Sequence, residues 1–280
     1  MEIGKVNKMR VVKELDFGIY LDGDDFGEIL MPLRYVPKNA QPETEIECFV
    51  YLDSEDRYIA TTERPKAMVG EFACLKCVAV NNVGAFLDWG LPKDLLVPFS
   101  EQKAKMEEGR YYVVFIYVDS ITKRIAASSK INKYLDNVPA DYEENQSVEL
   151  FVVNPTDLGF NVIINGLHSA MLYKNEVFQE LKRGQNIKGF IKKLREDEKI
   201  DVCLQKGGFE KVDSLTDDII HKLLENDGFM LINDKTSAEE IQEIFRCSKK
   251  TFKKALGALY KKKIILIEDG GIRLIQENKD

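Results

Sequence analysis

Through Glu63 the apolar residues do not recur at helical spacing; they alternate with polar ones or run in short stretches. The stretches VNKMRVVKEL, FGIYLD, GEILMP, EIECFVYLD and RYIATTE are bounded by Gly, Asp, Asn or Pro, which predicts short strands. Five short strands close into a small barrel more readily than they stand as an open sheet, because closure removes unpaired edges. Tight polar turns join the last two strands, DSEDR at 53–57 and, further along, DSITKR at 119–124 and REDEK at 195–199.

The same pattern returns when the chain is laid over itself at an offset of 66 residues. FGIYLD (Phe17 to Asp22) then falls on VGAFLD (Val83 to Asp88), Pro32 on Pro98, YLDS (Tyr51 to Ser54) on YVDS (Tyr117 to Ser120), and IATT (Ile59 to Thr62) on IAAS (Ile125 to Ser128). A more divergent copy follows about 75 residues later, with LGFNVIINGLHSAMLY (Leu158 to Tyr173) and FIKKLREDEKIDVCL (Phe190 to Leu204). These coincidences predict barrels over residues 1–65, 66–144 and 145–212, with Tyr51 and Tyr117 on equivalent strands. Gly18, Gly84 and Gly159 stand between bulky strand residues, where a missing side chain permits the coiling that a small barrel needs.

Over residues 213–280 the period changes to that of helices. Ser214 with Asp217 suggests a weak capping box before a stripe of Ile219, Ile220, Leu223 and Leu224 that Gly228 ends. Ser237 with Glu240 caps a second helix carrying Ile241, Ile244 and Phe245 on one side. A third begins near Ser248, with Phe252, Ala255, Leu256 and Leu259 apolar and lysines on or beside the opposite face. KIILIEDGGIRLI then reads as two strands around an Asp-Gly-Gly turn. Three helices closed by a hairpin make a winged helix, whose third helix usually reads a groove.

Charge sharpens this picture. The formal net charge is −7, yet residues 1–65 alone hold 8 basic and 14 acidic groups, while residues 215–280 balance 12 against 12. Positions 246–263 carry eight lysines or arginines and no carboxylate, a local cationic surface on an acidic chain. Five cysteines, an odd number spread over the whole length, argue against a disulfide framework and for a reducing compartment. Cys74 and Cys77 have CxxC spacing but sit in a strand pattern without a second CxxC, which predicts buried strand residues, not a metal or redox site. The opening MEIGKVNKMR lacks the apolar core of a signal peptide and no segment nears about 18 apolar residues, so the cytoplasm is expected and the membrane is not.

No P-loop, HExxH, GxSxG or dinucleotide fingerprint occurs. Asp22, Asp24, Asp25 and Glu28 crowd a turn region where charge faces solvent, and Gly207-Gly208 leads into FEKVDS, too brief for a phosphate cradle. No catalytic residue, metal ligand or cofactor is therefore expected, and a binding protein is.

The unit GKVNKMRVVKELDFGIYLDG with EILMPLRYVP resembles the opening of an S1-type RNA-binding domain, an OB-fold module in which a strand ends in an aromatic-Gly-x-aromatic element. Taken whole, three barrels plus a winged helix are similar to the bacterial conserved virulence factor B (CvfB-like) family. The resemblance implies a mainly β fold of tandem OB-fold, S1-like five-stranded barrels followed by an α+β winged-helix domain, and a single-stranded-RNA-binding regulator of gene expression. It places Phe17 and Tyr20 of the first barrel and Phe86 of the second on a base-binding face, with Val83 where the leading aromatic is expected. Each base stack is worth roughly 1–3 kcal/mol whatever the base; the alternative is that these rings belong to barrel core or rim. Lys8, Arg10 and Arg34 would supply phosphate contacts, unless they are ordinary solvated surface charges.

The sequence departs from the S1 pattern at Pro32 and Pro98, where many such domains place a histidine, and at Leu158-Gly159-Phe160-Asn161, which replaces the aromatic element. His168 lies near the corresponding loop but offset from it. The third unit would then bind through Lys188, Lys192, Lys193 and Arg195, or act as a spacer. Lys249, Lys250, Lys253 and Lys254 would meet backbone phosphate of RNA, or of DNA, through the winged helix, or else solubilise an exposed helix face. A protein-docking adaptor is the competing reading, since both module types also serve as docking surfaces.

Overall fold

The structure, a computed structural model, describes residues 1–177, 179–205 and 209–275. Gly207 and Gly208 lie outside the described residues. The first barrel consists of β1 (Val6–Leu15), β2 (Gly18–Asp22), β3 (Glu28–Pro32), β4 (Glu45–Leu52) and β5 (Tyr58–Thr61) in the closed order β1-β2-β3-β5-β4. The second contains β6 (Phe72–Val80), β7 (Gly84–Asp88), β8 (Leu95–Pro98), β9 (Tyr111–Val118) and β10 (Ile125–Ser128). The third, β11 (Ser147–Pro155), β12 (Gly159–Ile164), β13 (His168–Tyr173), β14 (Asn186–Leu194) and β15 (Ile200–Cys203), is again closed.

Glycine sets the crossing of the second and third strands in every unit. Gly18 pairs with Pro32, Gly84 with Pro98 and Gly159 with Tyr173. A Cβ at these glycines would overlap the carbonyl oxygens of Met31, Val97 and Leu172, so only glycine lets the strands approach this closely. A β-bulge also recurs in the first strand of each unit, between Val11 and Lys13, Cys77 and Ala79, and Val152 and Asn154. Each bulge bends its strand and re-aims the residue that follows.

Tyr51 and Tyr117 do occupy the equivalent strands β4 and β9. Their partners differ by one place in the repeat, Ile59 for Tyr51 but Ala126 for Tyr117: with no residue inserted, the hairpin closes at Asp53 and Arg57 in the first unit but at Asp119 and Arg124 in the second, which takes one strand residue into the turn. Backbone N–H and C=O groups alternate along a strand, so this slip changes which groups β10 presents to its other neighbour. The first barrel closes through parallel pairing of Leu30 with Ile59. In the second, β10 lies beside β8 without a hydrogen-bonded ladder, so its strands form an open-laddered sheet, β10-β9-β6-β7-β8, where a closed barrel was expected.

The first two units share an interface. Five consecutive residues of β4, Cys48–Leu52, are buried, which requires cover on both faces of the strand. Cys48 and Val50 point into the first barrel's core, whereas Phe49 and Tyr51 join the core of the second, where Phe49 meets the edge of Trp89 at 5.7 Å. The Lys93 ammonium donates to the carbonyls of Leu52 (3.1 Å) and Asp53 (2.6 Å), and Trp89 Nε1 donates to the Lys93 carbonyl at 2.6 Å. Arg124 pairs with Asp56 across the same junction. The corresponding rings of the second unit, Phe115 and Tyr117, are covered by Tyr134 from the 3-10 turn Ile131–Tyr134, stacked on Phe115 at 4.0 Å.

In the winged helix, α1 (Phe209–Glu225), β16 (Phe229–Met230), α2 (Ala238–Phe245), α3 (Lys249–Lys261), β17 (Ile265–Glu268) and β18 (Gly271–Leu274) follow in order, with the sheet arranged β16-β18-β17. The capping box of Ser237 and Glu240 is formed, and Ser248 caps α3 by accepting from the Thr251 amide. Helix α1 begins at Phe209, so Ser214 lies in its interior and is not its cap. Leu224 is exposed and not part of the apolar stripe, because at 100° per residue it turns away from Ile219 and Leu223, which are fully buried. Gly228, at φ 78°, donates to the Leu223 carbonyl and stops the helix.

Truncation of the buried Phe49 to alanine is expected to destabilise the pair of N-terminal units by about 3–5 kcal/mol. The chain has one tryptophan, Trp89, and it sits in this interface, so the change is read by denaturant unfolding and by a red shift of intrinsic fluorescence.

Candidate nucleic-acid interface

The bulge after Val11 places Lys13 across from Tyr20 on the outer face of the first barrel. The Lys13 ammonium lies 4.7 Å from the centre of the Tyr20 ring and also pairs with Glu28. Phe17, immediately before Gly18, is 54% exposed and presents its ring edge-on to Tyr20 at 6.3 Å. Phe17 is therefore outside the core, and Tyr20, half-buried on the same surface, forms a two-ring face with it. Lys13 was not among the candidates; its place across from Tyr20 depends on the bulge, which has no residue pattern of its own.

The cations around this face are engaged with carboxylates. Lys8 pairs with Glu45, and Arg10 with Asp22 (2.9 Å) and Glu43 (3.0 Å). The Arg10 guanidinium holds the Asp22 carboxyl below the usual carboxylate range. Arg34 stacks over the Tyr35 ring at 4.6 Å. The acidic turn is partly neutralised too, Asp24 by the N-terminal ammonium and Glu28 by Lys13.

In the second unit Phe86 is half-buried between Ala79 and Leu96, and Val83 is 50% exposed. In the third, Leu158 is 65% exposed, Asn161 pairs with Asn154, and Tyr173 takes the ladder position held by Pro32 and Pro98. No two-ring face forms there. His168 is buried: its Nε2 donates to the Val138 carbonyl at 2.8 Å, which leaves Nδ1 to accept from the Tyr142 hydroxyl, also at 2.8 Å. It is a structural pin. Lys188, Lys192 and Lys193 are exposed on β14; Lys192 pairs with Glu176, and Arg195 lies 3.7 Å from Asp197.

On α3 the four candidate lysines divide. Lys249 donates to the Lys235 carbonyl at 3.3 Å and Lys253 lies 3.7 Å from Asp234. Lys250 and Lys254, exposed one turn apart, have no ion-pair partner among the described residues. Opposite them Phe252, Ala255, Leu256 and Leu259 fill the core, so the cationic side cannot rotate inward.

Among the described residues no group of three or more His, Cys, Asp or Glu could hold a metal ion, and no helix is long and apolar enough to cross a membrane. Cys74 and Cys77 both lie on β6, three residues apart and hence on opposite faces. Burial raises the Cys77 thiol and pushes that of Cys48 up to about 12.

Known proteins agree with this arrangement. Residues 3–63 and 69–129 match the S1 domain family, and residues 217–274 match the CvfB-like winged helix domain. These modules define a class, multidomain proteins assembled from nucleic-acid-binding domains. Conserved virulence factor B of Staphylococcus saprophyticus is 28% identical over 240 residues, spanning 83% of this chain and 80% of the relative. The Staphylococcus epidermidis protein of the same name is 28% identical over 241 residues, with the same coverage. The Staphylococcus aureus counterpart is 27% identical over 240 residues, 83% of this chain and 80% of its own length. The chain thus carries two S1 domains and a C-terminal CvfB-like winged helix domain, and is similar along most of its length to the conserved virulence factor B proteins. A Streptococcus pneumoniae crystal structure described as a multidomain protein with nucleic acid binding domains aligns over 98% of both chains at 23% identity, with a TM-score of 0.42.

The raised thiol of Cys48 predicts very slow alkylation in the native chain. Mass spectrometry after iodoacetamide treatment near pH 8 should show Cys48 unmodified until denaturant is added.

Proposed function

We propose that this protein binds single-stranded RNA and regulates gene expression, at the post-transcriptional or transcriptional level, without catalysing a reaction. The observation that carries the reading is the Phe17–Tyr20 face: a large aromatic ring more than half exposed and outside the barrel core, set edge-on beside a second ring with a lysine over it. Such a surface suits an unpaired base, which offers a π-face that a duplex conceals. Phe86 extends the surface to the second unit, and Lys8, Arg10 and Arg34 line it, Lys8 and Arg10 exchanging their carboxylate partners for phosphate when a strand binds and Arg34 reaching it from its place over the Tyr35 ring. Lys188, Lys192, Lys193 and Arg195 of the third barrel and Lys249, Lys250, Lys253 and Lys254 of α3 add phosphate contacts, the latter to RNA or DNA.

A protein-docking adaptor is favoured by one observation, the ion pairing of Lys8 and Arg10 in an acidic first barrel. The two readings separate when single-stranded RNA, single-stranded DNA and duplex DNA are titrated at one fixed salt concentration. RNA binding that prefers single strands supports the first, and no binding to any of them leaves the adaptor.

Replacing Phe17 and Tyr20 together by alanine should weaken single-stranded RNA binding by about 1–3 kcal/mol per lost stack while Trp89 fluorescence stays unchanged. For α3, reversing Lys250 and Lys254 to glutamate should lower affinity equally for unrelated sequences. It should also flatten the slope of log affinity against log salt by up to about 1.4 on a single strand, as expected for two lost phosphate contacts.

A further inference from the structure

The second unit lacks the aromatic residue that precedes the glycine in the first. The chain supplies an aromatic one position beyond the opposite strand end. Gly18 is in register with Pro32 and Gly84 with Pro98, so antiparallel register sets residue 17 against residue 33 and residue 83 against residue 99. In the first barrel the Leu33 amide donates to the Phe17 carbonyl at 2.9 Å, which holds the two residues side by side. That pair is Phe17 with Leu33; in the second unit it is Val83 with Phe99, so the ring has changed sides while the pair keeps one aromatic and one aliphatic member. Leu33 is 57% exposed and Phe99 45%. Phe99 opens the 3-10 turn Phe99–Glu101, as Leu33 opens Leu33–Tyr35, and its ring meets no other ring among the described residues. Neither side chain belongs to a core cluster, so the hydrophobic core of the second unit does not itself call for an aromatic at 99.

We propose that Phe99, with Val83 beside it, is a base-stacking site of the second S1 unit, taking the π-face of an unpaired nucleobase. The inference rests on the single-stranded RNA reading and adds to it the residue that makes the second unit competent. In the third barrel the same pair is Leu158 with Lys174, whose amide donates to the Leu158 carbonyl at 3.0 Å, and no ring stands on either side. Stacking at this pair thus ends with the second unit.

The test uses the full chain and a fluorescein-labelled oligoadenylate of about 16 nucleotides, long enough to engage two such folds. Phe99→Ala and Phe99→Leu should each weaken binding by about 5- to 150-fold, the range of one lost stack. The double variant Val83→Phe/Phe99→Leu, which copies the arrangement of the first barrel, should recover most of that loss. Trp89 fluorescence and the unfolding midpoint confirm that each variant is folded. Wild-type affinity in Phe99→Ala, or in Phe99→Leu, overturns the proposal; so does a double variant that binds no better than Phe99→Leu. If Phe17→Ala weakens binding while Phe99→Ala does not, the second site fails and the RNA reading stands. If the wild-type chain binds no strand at all, the RNA reading fails and the second site with it.

Discussion

The approach of a glycine to a carbonyl oxygen governs each β unit. Where β2 leaves the turn, Gly18 lies so near the Met31 carbonyl that a methyl group cannot be placed between them, and Gly84 and Gly159 repeat the contact. The close crossing draws the third strand over the second and lets five short strands coil tightly. It also fixes which residues stand at the rim. Those just before the glycine, Phe17, Val83 and Leu158, are carried past the end of the ladder and become exposed, whatever their hydrophobicity. A constraint of backbone packing thereby creates the surface on which binding is proposed.

The repeat is not three copies of one object. Two of its features are constant, the glycine crossing and the bulge in the first strand, while the hairpin at the end varies. At equal chain length, β10 pairs with β9 one residue out of the register that β5 keeps with β4, and the second unit does without the ladder that closes the first. The outer face of the fourth strand varies in what covers it. Phe49 and Tyr51 are covered by the second unit, and Phe115 and Tyr117 by Tyr134, with Phe72 beside Phe115. An aromatic strand face thus serves as an adhesive in both, once between units and once within one.

Electrostatics divides the chain differently from its fold. Lys8, Arg10 and Lys13 of the first barrel are matched by carboxylates, which weakens its attraction for a polyanion until those pairs exchange. On α3 the apolar residues that anchor the helix leave Lys250 and Lys254 facing solvent without partners among the described residues. The first barrel thus offers exposed rings with most of its cations paired, and α3 a small cationic face.

Much of this was legible in the residues. The 66-residue offset located two units and their equivalent strands, the glycines marked the crossings, and Ser237 with Glu240 marked the start of α2, because repeats, steric minima and caps are local properties of the chain. The residues left Phe17 open between a base-binding face and the barrel core, and the fold decides for the surface. Other features were not legible. Lys13 faces Tyr20 only because a bulge shifts the register, and the start of α1 at Phe209 precedes the weak cap expected at Ser214. The burial of Phe49 depends on Trp89, forty residues further along, and the open ladder of the second unit accompanies a one-residue shift in how β10 pairs with β9. The sequence by itself determined the modules, their order and the chemical character of their surfaces, since each follows from neighbours along the chain. Only the tertiary structure decided which cations are matched, which rings are covered and which barrel closes, since these depend on residues that meet through space.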